Sequence, residues 1–348
     1  MAPENLLEVR DLAVEFKARG RRGAVVKAVD GVSFTVKRGE TVGLVGESGS
    51  GKSTIGRAVL GLTRPARGSV HLDGRDITGY RAGADSSIAK RLQVVFQDPF
   101  SSLNPSRTIG RTLTEPLEIQ GNLAATEAIN QIQRLLDSVG LPKDAATRYP
   151  HGFSGGQRQR IAIARSLATS PELVICDEAV SALDLVTRAQ VLNLLARLQR
   201  ETGQAFLFIA HDIPIVTHVS QRTVVLYRGR VMEQGPARSV HERPLHPYTR
   251  ALLAAVPVPD PVAQRERRAA RRQLVAATTA EAKPIPEQGC PFAPRCVSAS
   301  DVCWSKRPAD TAVQDVTLAC HLYDPASGHP DATTPYGGQK AAIPGQQC

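Results

Sequence analysis

Apolar and polar positions alternate in short runs through residues 5 to 45 ("LLEVRDLAVEF", "AVDGVSFTV"). The runs are broken by "KARGRRGA" and "KRGE", so the stretch predicts β-strands joined by tight turns. From Ser53 to Leu62 the period lengthens, and Ile55, Ala58, Val59 and Leu62 fall on one face of a predicted helix. "RLQVVFQ", "ELVICDE" and "AFLFIAHD" are short apolar runs of the kind that form strands buried on both faces. "AQVLNLLARLQRETG" predicts an amphipathic helix closed by Gly203, and "RTVVLYRGRVMEQG" predicts a hairpin around Arg228-Gly229. Residues 104 to 165 read as mostly helical, a subdomain inserted between strands. Strands alternating with helices point to an α/β fold with a mainly parallel sheet.

After Pro257 the pattern stops. "QRERRAARRQ" is a charge run, "AATTAEAKPIPEQG" is linker-like, and residues 326 to 348 show no period and are expected to stay disordered. The chain has 348 residues and a formal net charge of +10. That balance permits phosphate ligands, an anionic membrane surface or nucleic acid without choosing among them. The start "MAPENLLEVRDL" lacks a basic head followed by an apolar run, and no window nears the ~18 apolar residues that a spanning helix needs. An intracellular protein is expected. The run "RERRAARR" reads as a solvated helix face, with contact to anionic lipid as the alternative.

The first chemistry lies in "LVGESGSGKST". Gly46-Glu47-Ser48-Gly49-Ser50-Gly51-Lys52-Ser53 fits G-x-x-x-x-G-K-[ST], preceded by an apolar strand and followed by a helix through Thr54. Phosphate oxygens must approach backbone N–H groups closely, so Cβ atoms are few, and the helix start adds its positive dipole end. Lys52 reaches phosphates as a point charge, and the Ser53 hydroxyl suits Mg2+. The predicted strand Leu173 to Cys176 ends on Asp177-Glu178. Such a site needs one carboxylate near the metal and one group to orient the attacking water. Asp177 suits the first role and Glu178 the second. "GFSGGQ" is a second small-residue turn opening a helix, so Ser154, Gly155, Gly156 and Gln157 form a second anion site. One phosphate loop does not need another in its own chain, which suggests that this turn serves a nucleotide held by a second subunit.

In order, GESGSGKST, Gln97, FSGGQ, LVICDE, SALD and His211 resemble the nucleotide-binding subunit of ATP-binding cassette (ABC) transporters over about residues 5 to 257. The resemblance implies a P-loop NTPase core with an antiparallel β subdomain and a helical subdomain at about 98 to 165. It implies adenine stacking by Phe16, phosphate binding by residues 46 to 54, and contact of Gln97 with Mg2+ or the attacking water. Ser154 to Gln157 would cap the partner's γ-phosphate, Asp184 would link the two sites, and His211 would contact the γ-phosphate. Two positions depart from the family: Phe153 stands where Leu is usual, and Ala179 stands where Pro usually follows the catalytic Glu, leaving that turn softer.

"QDPFSSLNPSRTIG", "HPYTRALLAAVP" and "CPFAPRC" resemble the oligopeptide/dipeptide importer ATPases. That branch implies a paralogous ATPase partner, two transmembrane permease subunits, an extracytoplasmic binding protein, and a peripheral place on the cytoplasmic membrane face. Peptide is the implied cargo; nickel, glutathione or sugar are alternatives. A soluble nucleic-acid or ribosome factor and an exporter ATPase are the competing classes, and no nucleic acid is expected.

Cys290, Cys296, Cys303 and Cys320 are four of six cysteines, in a C-terminal module at 289 to 325 behind a linker at 258 to 288. Disulfides are unfavoured in a reducing compartment. The long irregular spacings suit a four-iron four-sulfur (4Fe–4S) cluster better than Zn2+, which favours short C-x2–4-C pairs. Free thiols in a small packed module are the third reading. His321 is a further candidate ligand, Cys176 reads as core, and Cys348 is assigned nothing.

Overall fold

The computed structural model describes residues 5–17, 25–98, 102–120, 125–256, 260, 264–265 and 284–333. The described chain forms two compact units. The first comprises Met1–Val42, Ser53–Ala210 and His218–Ser220; the second comprises Gly43–Lys52, His211–Thr217 and Gln221–Cys348.

In the first unit, β1 (Asn5–Lys17) and β2 (Val25–Lys37) pair antiparallel, as the strand-like runs read in residues 5 to 45 imply, though register shifts break strict alternation: in β1, Leu6-Leu7 and Leu12 to Val14 are buried consecutively. The connecting segment "KARGRRGA" lies almost wholly outside the described residues. β3 (Thr41–Val45) is buried along its whole length and carries the chain across into the second unit. α1 (Lys52–Val59) follows, then β4 (Arg67–Leu72) and β5 (Arg75–Asp76). These complete an antiparallel sheet in the order β2-β1-β4-β5. Just past the end of α1, Gly61 turns left-handed at φ 69, and the Tyr80 ring stands where its Cβ would be. Leu62, predicted on the buried face, is instead 52% exposed, whereas Ile55, Ala58 and Val59 are buried.

The short α2 (Ser86–Arg91) leads into β6 (Leu92–Val95). The predicted helical stretch contains α3 (Ile109–Gln120), α4 (Ala125–Ser138) and α5 (Gly155–Leu167). β7 (Leu173–Asp177), α6 (Leu185–Thr202) and β8 (Ala205–Ala210) complete the unit. β6, β7 and β8 run parallel, and β8 is buried at every residue, as its unbroken apolar run requires. Asp184 caps α6 by accepting from the Thr187 N–H, and Gly203 closes it in the left-handed conformation at φ 68.

In the second unit, α7 (Ile213–Val219) contributes its first residues. β9 (Arg222–Tyr227) and β10 (Arg230–Pro236) form the predicted hairpin, with Arg228 and Gly229 both at positive φ, as a two-residue turn of right-handed strands demands. α8 (Ala237–Glu242) and α9 (Pro247–Ala254) follow. Further along, α10 (Asp301–Ser305) precedes β11 (Asp310–Val313) and β12 (Val316–Ala319), and β12 pairs with β10. Residues 326–333, expected to be disordered, are instead ordered. Ser327 and His329 are buried, the His329 ring bonds the Ser298 carbonyl at 2.7 Å, and the Thr333 N–H donates to Leu322. Side-chain anchoring of this kind leaves no periodic signal. The rest of the predicted tail, and most of the linker, lie outside the described residues.

Candidate functional site

In the second unit, β3 opens into the glycine loop. Gly46, Gly49 and Gly51 all take positive φ, and a Cβ on Gly46 would stand 2.1 Å from the Leu226 carbonyl oxygen. The spacing read as a phosphate cradle is therefore a backbone requirement at that corner. Lys52 is buried, and its Nζ donates to the carbonyls of Gly46 (2.8 Å) and Glu47 (3.0 Å). The loop is tied from outside at three points. Gly229 N–H donates to Ser50 O at 2.9 Å, Glu47 N–H donates to the Tyr248 hydroxyl at 2.9 Å, and the Arg295 guanidinium grips both Glu47 carboxylate oxygens at 2.8 and 2.9 Å. Burial pushes the Tyr248 phenol well above its usual pKa, so it stays a neutral hydrogen-bonding group. His211 is exposed at the start of a stretch of this unit.

In the first unit, the Ser53 hydroxyl donates to Asp177 Oδ1 at 2.7 Å. Two oxygen ligands of the kind a hard divalent cation takes are thus side by side, which fits Mg2+. Glu178 follows at φ 50, in the left-handed region. Its N–H donates to Ile209 O at 3.0 Å, and its carbonyl accepts from the Ser181 N–H (3.1 Å) and hydroxyl (2.9 Å). Hydrogen bonds therefore hold the turn where the resemblance leads one to expect proline, and Ala179 is buried. Gln97 lies exposed just past β6. Phe16 is 46% exposed on β1, which leaves a ring face open to a ligand.

The second glycine turn is a complete capping box at the start of α5: the Gln157 N–H donates to Ser154 Oγ, and the Ser154 N–H donates to the Gln157 side chain. Ser154 and Gln157 are exposed, Gly155 has open space around it, and Gly156 is buried against Thr187. Phe153 is buried with the Arg148 guanidinium 4.4 Å above its ring, so an apolar side chain serves there as Leu would.

The four C-terminal cysteines come from four segments of the second unit and line one small cavity with His246, His321 and His329. Burial pushes the Cys290 and Cys320 thiols up to about 12 and Cys296 up to about 11. His321 is buried; its Nε2 pairs with the Lys306 carbonyl at 2.9 Å, which leaves Nδ1 buried without a partner among the described residues. Among the described residues, no three His, Cys, Asp or Glu side chains are gathered closely enough to hold a metal ion. The structure thus brings the four thiols together around a cavity without forming them into a ligand set. Cys176 is fully buried in β7, as core.

Tyr248 and Arg295, which hold the loop, were not singled out from sequence. Each sits inside a quoted motif, "HPYT" or "CPFAPRC", and a lone Tyr or Arg there carries no pattern of its own.

The profile of the ABC transporter family matches residues 29–181, and that of the oligopeptide/dipeptide transporter C-terminal region matches residues 232–303. A putative peptide import ATP-binding protein of Brucella abortus is 47% identical over 316 residues, covering 90% of this chain and 92% of the relative. The chain belongs to the ABC transporter family. The putative oligopeptide transport ATP-binding protein YkfD of Bacillus subtilis is 45% identical, over 91% of this chain and 95% of its own length. Among solved structures, CbiO1 of Clostridium perfringens, part of the ABC transporter complex CbiONQ, matches with TM-score 0.61 and 27% identity, over 68% of this chain and 91% of that one. An ATP-binding cassette solved as a dimer in a post-hydrolysis state with ADP and Pi matches with TM-score 0.58 and 28% identity, over 67% of this chain and 99% of that one. This ABC protein is accordingly an ATPase, built on the α/β P-loop fold with mixed sheets. Among the described residues no helix is long and apolar enough to cross a membrane.

Proposed function

We propose that this chain powers peptide uptake as the ATP-hydrolysing subunit of an ABC importer, seated peripherally on the cytoplasmic face beneath two permease subunits. The observation that carries the ATPase chemistry is the 2.7 Å bond from Ser53 Oγ to Asp177 Oδ1, which pairs the loop's hydroxyl with the strand-end carboxylate. Peptide cargo and membrane partners rest on the names of the relatives and on the oligopeptide/dipeptide C-terminal region. A paralogous ATPase partner and an extracytoplasmic binding protein complete the assembly.

Ser53, Asp177 and Gln97 would hold Mg2+. Bound there, Mg2+ supplies charge neutralisation for the transferred phosphoryl group. Residues 46–54 present backbone N–H groups to the phosphates, and Lys52 Nζ exchanges its two carbonyl partners for phosphate oxygens. Glu178 orients or deprotonates the attacking water. His211 contacts the γ-phosphate, and Phe16 stacks on adenine. The Ser154–Gln157 turn caps a nucleotide held by the partner subunit, and Asp184 links the two sites. ATP then closes the pair of subunits, hydrolysis reopens it, and the permeases alternate with it.

Glu178→Gln in the purified transporter is expected to keep ATP binding and abolish hydrolysis and peptide uptake. Hydrolysis at the wild-type rate would remove Glu178 from its role. Co-purification with ribosomes or DNA instead of integral membrane proteins would favour the soluble-factor class.

For the C-terminal residues a 4Fe–4S cluster is the reading carried by the cysteine spacing, with zinc and free thiols as the alternatives; among the described residues the thiols are not gathered into a ligand set. Support comes from the four thiols around one cavity and the unpartnered His321 Nδ1 in its wall. Iron, sulfide and zinc analysis of anaerobically purified protein tests this; absence of all three leaves free thiols.

A further inference from the structure

Residues 46 to 54 contain small residues, hydroxyls, one Lys and a single acid, Glu47. A carboxylate is out of place in a loop that binds phosphate, since like charges repel whether or not they touch. Its partner lies 248 residues further along the chain. We propose that Arg295 is a positioning residue of the phosphate loop: it neutralises and fixes Glu47, so that the loop meets ATP without an opposing negative charge. The inference rests on the reading of residues 46–54 as the phosphate site.

The pair has the two-pronged geometry that guanidinium and carboxylate favour, with Nη1 and Nη2 at 2.8 and 2.9 Å from the two carboxylate oxygens. Arg295 arrives already ordered. It ends a short 3-10 turn, Ala293–Arg295, in which Arg295 N–H donates to Phe292 O and Cys296 N–H donates to Ala293 O. Its guanidinium carbon lies 5.6 Å from the centre of the Phe292 ring and 5.7 Å from that of Tyr227, and Nη1 is 3.4 Å from the Tyr227 hydroxyl. A side chain stacked in this way loses little further freedom when it pairs. The same aromatic group orders the other hold on Glu47: Tyr248, which accepts its N–H, packs against Tyr227 and Phe292 with centroids 4.6 and 5.4 Å apart.

The exposure of the pair decides what it is for. Arg295 and Glu47 side chains are 39% and 41% exposed, and ion pairs so open to water add little to folding stability. The negative charge of an unpaired Glu47 would instead act on the next anion to arrive, the triphosphate.

The test uses the full-length chain, with ATP and Mg2+ as the probe, in wild type, Arg295→Gln, Glu47→Gln and the double variant. Binding is measured by calorimetric titration, and urea unfolding is followed beside it. Arg295→Gln is expected to raise the ATP Kd about fivefold while its unfolding midpoint and its kcat at saturating ATP stay at wild type. Glu47→Gln is expected to bind as tightly as wild type or tighter. The double variant is expected to recover to within about twofold of wild type, because neither charge remains, and Arg295→Lys to hold the same range by keeping its charge. An unchanged Kd in Arg295→Gln overturns the proposal. So does a double variant, or an Arg295→Lys, as weak as Arg295→Gln, or a loss of affinity in Glu47→Gln. Wild-type protein that binds no ATP would instead overturn the reading of the loop itself.

Discussion

The two glycines of the "SGGQ" turn look equivalent in sequence and are not equivalent in the structure. A Cβ on Gly155 would meet nothing within 4 Å, whereas one on Gly156 would stand 2.2 Å from Thr187 Cγ2. Gly156→Ala therefore forces a displacement of well over an ångström at the start of two helices, since Gly156 lies in the first turn of α5 and Thr187 in that of α6. Thr187 has little freedom to yield, because β-branching restricts its χ1 in a helix and its N–H is bonded to the Asp184 cap at 3.0 Å. Overpacking of this kind costs about 1–3 kcal/mol, against which replacing a helical Gly by Ala returns up to about 1 kcal/mol. The net expectation is a loss of about 1–2 kcal/mol for Gly156→Ala and no loss, or a gain below about 1 kcal/mol, for Gly155→Ala. Urea unfolding of the two variants measures both. The decisive variant is Gly156→Ala with Thr187→Ser, which deletes the clashing methyl; the next atoms of Thr187 are 3.6 and 3.7 Å away, an ordinary contact. The double variant should recover most of the loss. A Gly156→Ala protein as stable as wild type, or a double variant no better than the single one, refutes the packing argument.

Ser53→Ala removes the hydroxyl that faces Asp177; it should abolish the tightening of ATP binding by Mg2+ while leaving metal-free binding near wild type, and a Mg2+ effect of wild-type size would contradict the role given to that pair. Gly46→Ala should lose ATP binding outright, because the obstructing atom is a backbone carbonyl that cannot rotate away; titration with ATP reads this directly, and wild-type affinity would show the loop to be more plastic than its geometry implies. In the first unit, Arg38 and Arg91 each pair with both Asp73 and Glu172. The Arg38 hydrogen bond holds the Asp73 carboxyl below its usual pKa, and the Arg91 hydrogen bond does the same for Glu172. Depressed folded values mean stability that is present above the ordinary carboxylate range, near pH 4, and lost as pH falls through the folded values. The gap in melting temperature between wild type and an Arg38→Gln/Arg91→Gln variant should therefore narrow from pH 6 to pH 3.5; an equal gap at both pH values would assign the effect to packing.

The features legible in the sequence are those in which a local physical demand restricts residue type. The phosphate loop must have glycine where a side chain would strike Leu226. Strands covered on both faces, such as Leu173–Asp177 and Ala205–Ala210, must be almost wholly apolar. The turn at Arg228-Gly229 must accept positive φ twice. Features set by distant partners were not legible. Leu62 is exposed because α1 ends at Val59 and the chain turns left-handed at Gly61, where Tyr80 packs, and residues 326–333 are anchored where His329 reaches Ser298. The holds on Glu47 by Tyr248 and Arg295 belong with these, since single polar contacts across 201 and 248 residues leave no period to read.

Those holds also bear on how a glycine loop keeps its shape. Glycine loses more conformational freedom on ordering than any other residue, and this loop has three, all at positive φ. Its own sequence permits the cradle but does not impose it. The order comes from neighbours in the second unit: β9 against Gly46, the hairpin turn on Ser50, Tyr248 on the Glu47 N–H, and Arg295 on the Glu47 carboxylate. Two of the four, Leu226 and Tyr248, lie in regular elements, and Gly229 lies in the tight turn between β9 and β10. The fourth, Arg295, ends a three-residue turn between Cys290 and Cys296, a segment whose Phe292 packs on Tyr227 and Tyr248 and whose two thiols line the cavity. A change that loosens those cysteines acts on the turn that carries Arg295, the guanidinium paired with the Glu47 carboxylate, while the regular elements keep the loop folded. Damage at the cysteines should accordingly weaken the grip on ATP before it unfolds the chain, the reverse of the order expected if residues 290–320 served stability alone.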